Sequence, residues 1–217
     1  VKLEFKQMKN KGSQAAISKA QNDAEEGTGY FKTSWKGKDI QAGMEQVTVS
    51  NPNAGIAWGA MYWQYFEQLD KIKSFEATPL TLRKKLFKEE KTATGPKLRE
   101  ITATEPLRPG DKLIVRVELR SDRDMEYIHL KDMRASGFEP MNVLSQYKYQ
   151  GGLGYYESTG DAATHFFIDY LRKGTYVFEY PIRVVHKGSF SNGISSIQCM
   201  YAPEFSSFSS GERVEVK

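Results

Sequence analysis

From Leu80 to Lys217 the chain repeats one pattern: short runs of alternating apolar and polar residues, each cut off by a turn. The runs are 80–87, 97–101, 112–120, 127–133, 143–149, 154–157, 164–170, 175–185, 195–202 and 212–216. Period-2 alternation puts every second side chain on one face of a strand. Leu113, Val115, Val117 and Leu119 alternate with Lys112, Ile114, Arg116 and Glu118, and only Ile114 breaks the pattern. Tyr176, Phe178 and Tyr180 share one face of a later run, with Val177 and Glu179 on the other. Turns fall at Arg108-Pro109-Gly110-Asp111, Arg172-Lys173-Gly174 and His186-Lys187-Gly188. No competing helical stretch is found after Pro79. Strands recurring at this spacing predict an antiparallel, immunoglobulin-like β-sandwich.

The pattern breaks around residues 73–79, which sets a domain boundary: a smaller β-rich module over 1–76, then the sandwich over 77–217. Val1, Leu3 and Phe5 open on one face of a strand, with Lys2, Glu4 and Lys6 on the other. Residues 15–26 read equally as a short helix or a loop. Residues 30–35, 46–50 and 56–67 read as strands, the last two joined by a turn through Asn51-Pro52-Asn53-Ala54-Gly55. The aromatic run from Trp58 to Phe66 alternates, so half of it is expected to pack inward against a core or a domain interface. The chain starts mid-strand without Met, as an internal segment of a longer protein would. The close on Arg213-Val214-Glu215-Val216-Lys217 suits a true terminus.

Chemistry is sparse. Thirty-one basic and 27 acidic residues are mixed throughout the 217, for a net charge of +4, which gives no footprint for nucleic acid. No apolar run approaches the ~18 residues of a membrane span, so no membrane insertion by this segment is expected. His129, His165 and His186 fall in separate elements with no metal-ligand spacing. Cys199 lies in Ile197-Gln198-Cys199-Met200-Tyr201, the setting of a small buried hydrophobe, and has no cysteine to pair with. No Gly-x-Ser-x-Gly elbow occurs. Gly151-Gly152-Leu153-Gly154 precedes a strand-like run and reads as a hairpin turn, not a phosphate loop. Ser121-Asp122-Arg123-Asp124 spaces oxygens as calcium loops do but lacks their Gly and Glu, so a solvated turn is expected. Asp132, Glu139 and Asp161 belong to no acid–base constellation. No catalytic residue, cofactor or metal is expected, and the chain reads as a non-enzyme.

Several segments resemble the final domain of bacterial α2-macroglobulins, in order along the chain. They are Leu107-Arg108-Pro109-Gly110-Asp111-Lys112-Leu113, Leu130 to Pro140 with Gly137-Phe138-Glu139 inside it, and Gly174 to Tyr180 followed by Gly188-Ser189-Phe190. The most specific is Met200-Tyr201-Ala202-Pro203-Glu204-Phe205, then Ser209-Ser210-Gly211. Arg134 stands where the family carries Pro, which suggests the long, envelope-associated subgroup. Gly27 to Trp35 and Ile56 to Trp63 look like the stretch before that last domain. In the family this is the returning half of a CUB-like β-module split by a helical, thioester-bearing domain.

The resemblance implies an endopeptidase inhibitor of the bacterial periplasm or the outer-membrane-associated envelope. Such a protein captures proteases after bait-region cleavage, by a Cys-x-Glu-Gln thioester. Cys199 is followed by Met200-Tyr201-Ala202, so this segment lacks that motif. It is expected to dock against other domains of its parent, and to meet proteases only through the parent. Trp58, Tyr62, Trp63, Tyr201 and Glu204 are the candidate contact residues. The alternative is a carbohydrate- or peptide-binding sandwich of a surface assembly, with Trp58, Tyr62, Trp63, Tyr155 and Tyr156 as contacts.

Overall fold

The structure, a computed structural model, describes residues 2–5, 11–76, 79–102 and 106–217. Val1 and Lys6 of the expected first strand, and residues 77 and 78 at the expected boundary, lie outside the described residues. Two compact units form, Val1–Gln64 and Tyr65–Lys217.

In the first unit, β1 (Lys2–Phe5) pairs antiparallel with β2 (Val47–Ser50), Leu3 opposite Val49. Of residues 15–26, left open between helix and loop, 15–22 are helical and 23–26 are not: α1 spans Lys11–Asn22. Its Ala, Gln and Lys residues are strong helix formers, and Ile17 supplies a buried side chain. The strands expected over 30–35 and 56–67 are not formed. The physical reason is pairing. A strand needs a hydrogen-bonding neighbour, and alternation in one segment does not supply it. The run from Ile56 to Phe66 is consequently exposed along its whole length, where half of it was expected to pack inward.

The second unit is a sandwich. One sheet has six strands: β6 (Met125–Met133), β8 (Gln146–Gln150), β9 (Leu153–Thr159), β10 (Ala163–Leu171), β13 (Ser195–Cys199) and β14 (Ser206–Phe208). Their order is β14-β13-β6-β10-β9-β8. The other has five strands: β3 (Leu80–Thr92), β4 (Gly95–Glu100), β5 (Lys112–Ser121), β7 (Phe138–Pro140) and β11 (Gly174–Val184). They run β4-β3-β5-β11-β7, while β12 (Gly188–Ser191) and β15 (Arg213–Val216) form a separate pair. The hairpin expected at Gly151-Gly152 joins β8 to β9, with both glycines at positive φ, as a two-residue turn of primed type requires. The run read as 195–202 stops pairing at Cys199, because the chain turns away there.

The inward faces follow the predicted alternation. Leu113, Val115, Val117 and Leu119 are each at most 1% exposed, and on the neighbouring β11 Phe178, Tyr180 and Ile182 stand beside Val117, Val115 and Leu113 on the same inward face. Burying one such aliphatic or aromatic side chain contributes about 1.5–3 kcal/mol. Phe178 meets Phe166 of β10 at 4.9 Å and Tyr155 of β9 at 5.2 Å between ring centres, which joins the two sheets. At one end, the Phe190 ring lies where a Cβ on Gly137 would sit, 2.6 Å away. Glycine at 137 is therefore a packing requirement.

Residues 65–76 group with this unit, although the sequence boundary stands at 76/77. Phe75 exchanges backbone hydrogen bonds with Phe208, and their rings stack at 5.5 Å. Gly211 N–H donates to Ile72 O at 2.8 Å, and Arg213 Nε donates to Asp70 Oδ2 at 2.9 Å.

Candidate functional site

The loop from β13 to β14 is closed by its own backbone. Ala202 N–H donates to Cys199 O (3.3 Å), Phe205 N–H to Ala202 O (2.9 Å) and Cys199 N–H to Phe205 O (3.0 Å). Cys199 is buried, as its neighbours predicted, and its Sγ lies 3.3 Å from Glu126 O. Beyond it Tyr201 is 80% exposed and Glu204 is also exposed. The start of β6 braces the tyrosine. Met200 N–H donates to Tyr127 O at 2.9 Å, and the Tyr127 and Tyr201 rings meet edge to face, 5.1 Å apart at 83°. Tyr127 is a non-glycine residue at positive φ, +53°, a conformation costly for a bulky side chain. The result is an amphipathic ring presented to solvent on a hydrogen-bonded loop beside a second tyrosine, a residue type enriched at interfaces.

Trp58, Tyr62 and Trp63 are 86%, 82% and 52% exposed, all in the first unit. Tyr201 and Glu204 belong to the second. Of the residues named for carbohydrate or peptide contact, Tyr155 is a core residue at 5% exposure, which removes it from any surface. Tyr156 faces outward beside Tyr147, with ring centres 4.9 Å apart.

Beneath the surface lies a polar network that no sequence motif marks. Lys84 of β3 and Asp132 of β6 form an ion pair between the two sheets, Nζ to Oδ1 2.9 Å, with side chains 5% and 0% exposed. Lys84 Nζ also donates to Met133 O and, at 3.2 Å, to Asn192 O. Ser195 Oγ donates to Asp132 Oδ1 at 2.6 Å, and Tyr180 OH donates to Oδ2. Burial, then the neighbouring Asp132 carboxylate, holds the Tyr180 phenol well above its ordinary range, so it stays a neutral donor. Arg134, the residue that stands in place of Pro, is buried and donates to Gly160 O and, at 3.4 Å, to Thr164 Oγ1. A buried charge is least costly when paired and fully hydrogen-bonded, as the Lys84–Asp132 pair is. Its chemistry is that of a lock: it fixes the register of one sheet against the other.

The remaining candidates resolve locally. Asp124 accepts from Tyr170 OH and Lys173 N–H, each at 2.7 Å, and these bonds hold its carboxyl below the usual range. Ser121 to Asp124 is thus the β5–β6 turn, tied to β10 and the turn that follows it. His129 and His165, distant in sequence, meet across β6 and β10.

The family model for the bacterial alpha-2-macroglobulin MG10 domain matches residues 80–204. No curated protein sequence matches the chain. Among solved structures, the chain is similar to Escherichia coli alpha-2-macroglobulin activated by porcine elastase. That match has 15% identity and a TM-score of 0.55, over 67% of this chain and 14% of the other. Native E. coli alpha-2-macroglobulin from domain MG7 to the C-terminus matches at 14% identity and 0.53, over 65% of this chain and 24% of that one. Salmonella alpha-2-macroglobulin reacted with methylamine matches at 15% and 0.53, over 68% and 10%. The chain therefore spans a quarter or less of these structures, and at such identities they speak to the fold. The match from Leu80 to Glu204 covers more than half of the sequence, and the chain belongs to the bacterial alpha-2-macroglobulin family, with its MG10 domain in the sandwich.

Proposed function

We propose that the chain is the non-catalytic C-terminal structural and interaction region of an envelope protease trap, an endopeptidase inhibitor of the bacterial periplasm. The sandwich docks through its Tyr201–Glu204 loop against other domains of the parent, and bait cleavage alters that docking. Residues 1–76 act as the returning half of a split CUB-like module, with Trp58, Tyr62 and Trp63 covered by strands from elsewhere in the parent. The observation that carries this reading is the Tyr201 tip. An 80% exposed ring held by a closed loop and a second tyrosine contributes nothing to the sandwich's own core. The exposed run from Ile56 to Phe66 supports it, since contiguous apolar surface of this kind marks an interaction site. Among the described residues no helix is long and apolar enough to cross a membrane.

The test uses the full-length parent, incubated with a protease while activity on large and small substrates is followed. Bait cleavage should block large substrates more than small ones and compact the particle in small-angle scattering. Tyr201→Ala should shift the resting particle toward the cleaved-state profile without unfolding the sandwich. Neither inhibition nor compaction on cleavage would overturn the trapping role. A Tyr201→Ala profile identical to wild type before and after cleavage would overturn the docking role.

A further inference from the structure

The buried lock brings together reactive groups as well as charges. Lys84 Nζ stands 2.9 Å from Asp132 Oδ1 between the two sheets, with side chains 5% and 0% exposed. A carbon–oxygen bond is short, so the carboxyl carbon, Cγ, lies within about 4 Å of Nζ. Hydrogen bonds to Met133 O and Asn192 O also hold the amine in place. Each carboxyl oxygen has its own hydroxyl donor: Ser195 Oγ on Oδ1 at 2.6 Å, and Tyr180 OH on Oδ2. A nucleophile, an electrophilic carbon and two oriented donors thus meet where bulk water is excluded.

We propose that Lys84 and Asp132 condense to an amide, a self-catalysed cross-link from Nζ to Cγ that ties the two sheets of the sandwich covalently. The atoms balance with one water released. Charges are costly in an apolar interior, and a single proton transfer from Nζ to Oδ1 gives a neutral amine and a neutral acid. The freed lone pair attacks Cγ and forms the C–N bond. Negative charge develops on Oδ2, where Tyr180 OH already donates, and burial keeps that phenol neutral, as an oxyanion donor must be. Ser195 Oγ gives its proton to Oδ1 and takes the second one from the nitrogen. The Cγ–Oδ1 bond breaks, Oδ1 departs as water, and no co-reactant is consumed. The departing water meets an acceptor. Asn192, whose carbonyl lies 3.2 Å from Nζ, has a buried Oδ1 with no partner among the described residues.

Proximity decides the balance. Between separate molecules in water, an amine and a carboxylate hardly condense. Two groups held together react at an effective molarity of up to about 10⁵–10⁸ M, and a closed interior keeps out the water that would reverse the step. The ammonium must first lose its charge, so the chain folds with the ion pair and the amide accumulates as it ages. Fresh chain therefore reports on the ion pair, and aged chain on the amide. Lys85 and Glu100 make a similar contact, 3.0 Å, with side chains 46% and 50% exposed, and should stay ionic.

The test is the intact mass of the full chain, freshly refolded and after prolonged incubation at neutral pH. A species lighter by one water should grow with time and survive mild alkali, which reopens a cyclic imide at an aspartate. A protease digest should place the loss in one branched peptide containing Lys84 and Asp132. Lys84→Arg keeps the positive charge and should stay at full mass. Tyr180→Phe should slow the growth by about 100-fold. Full mass throughout, in a chain that circular dichroism shows to be folded, would overturn the cross-link without any variant. The same loss in Lys84→Arg, a branch through Lys85 and Glu100 instead, or an unchanged rate in Tyr180→Phe would each overturn it as well.

Discussion

Lys84→Met removes one half of the lock and leaves the methylenes in place. The lost ammonium was the charge partner of a carboxylate with 0% side-chain exposure, and it also donated to Met133 O and Asn192 O. Removing one member of a buried pair costs about 3–5 kcal/mol, because the other charge is left uncompensated. Ser195 and Tyr180 continue to donate to Asp132, which places the expected cost near the lower end, about 3 kcal/mol. Against a typical total of roughly 5–15 kcal/mol that is a large loss. With a urea dependence of about 2 kcal/mol per M, the midpoint falls by roughly 1.5 M. The probe must be chosen with care. All three tryptophans, Trp35, Trp58 and Trp63, lie in the first unit, so tryptophan fluorescence does not report on the sandwich. Far-UV circular dichroism and near-UV tyrosine signals do. Adding Asp132→Asn to Lys84→Met deletes the second charge while an amide oxygen still accepts from Ser195 and Tyr180. The double variant should regain at least half of the loss, a coupling of about 1.5–3 kcal/mol. A Lys84→Met cost under about 1 kcal/mol, or a double variant equal to the sum of the singles, would refute the lock.

Three further outcomes are expected. Gly137→Ala drives a methyl into the Phe190 ring, 2.6 Å away, and should destabilise the sandwich by about 1–3 kcal/mol, with Phe190→Leu restoring much of it in a urea titration. Gly211→Ala is more severe locally, since the new Cβ would lie 1.6 Å from Leu69 O. It should detach residues 69–75 and accelerate tryptic cleavage at Lys71 and Lys73, and equal cleavage rates would contradict the docked segment. Below about pH 6.5 the unfolded chain binds more protons at His129 and His165 than the folded one, because both folded values are lowered. Stability is therefore fullest above that pH and declines as pH falls toward the folded values. Urea midpoints between about pH 8 and 5 should show the decline, and His129→Gln with His165→Gln should flatten it.

The sandwich was legible because its strands obey a local rule. In β5 and β11 the inward residues can be read by parity, and burial follows that parity from Leu113 to Leu119 and from Phe178 to Val184. Short strands such as β7 and β14 carry three residues each, too few for alternation to register. The first unit shows the limit of the rule. Residues 56–66 alternate like a strand, yet pairing depends on a partner elsewhere, and among the described residues none is present. Alternation states what a segment would do beside a neighbour; it does not provide the neighbour.

The lock carries a signal of the same kind, spread over two strands. Leu80, Leu82, Lys84 and Leu86 share one parity, as do Ile128, Leu130 and Asp132 on another strand. A single charge at an inward position looks like noise in one strand. One of each sign at inward positions suits a buried pair, because an unpaired buried charge is costly, and the structure puts the two strands in opposite sheets. Tyr180, at parity with Phe178 and Ile182, adds the donor such a pair needs. The histidine pair has no such marker. His129 and His165 each fall at outward positions, and their meeting depends on a register in which Phe167, not His165, stands opposite His129. Parity within each strand marks Lys84 and Asp132 as inward charges, though Glu157 shares the inward parity of Leu153 and Tyr155, so their pairing, like that of the histidines, is settled by the fold.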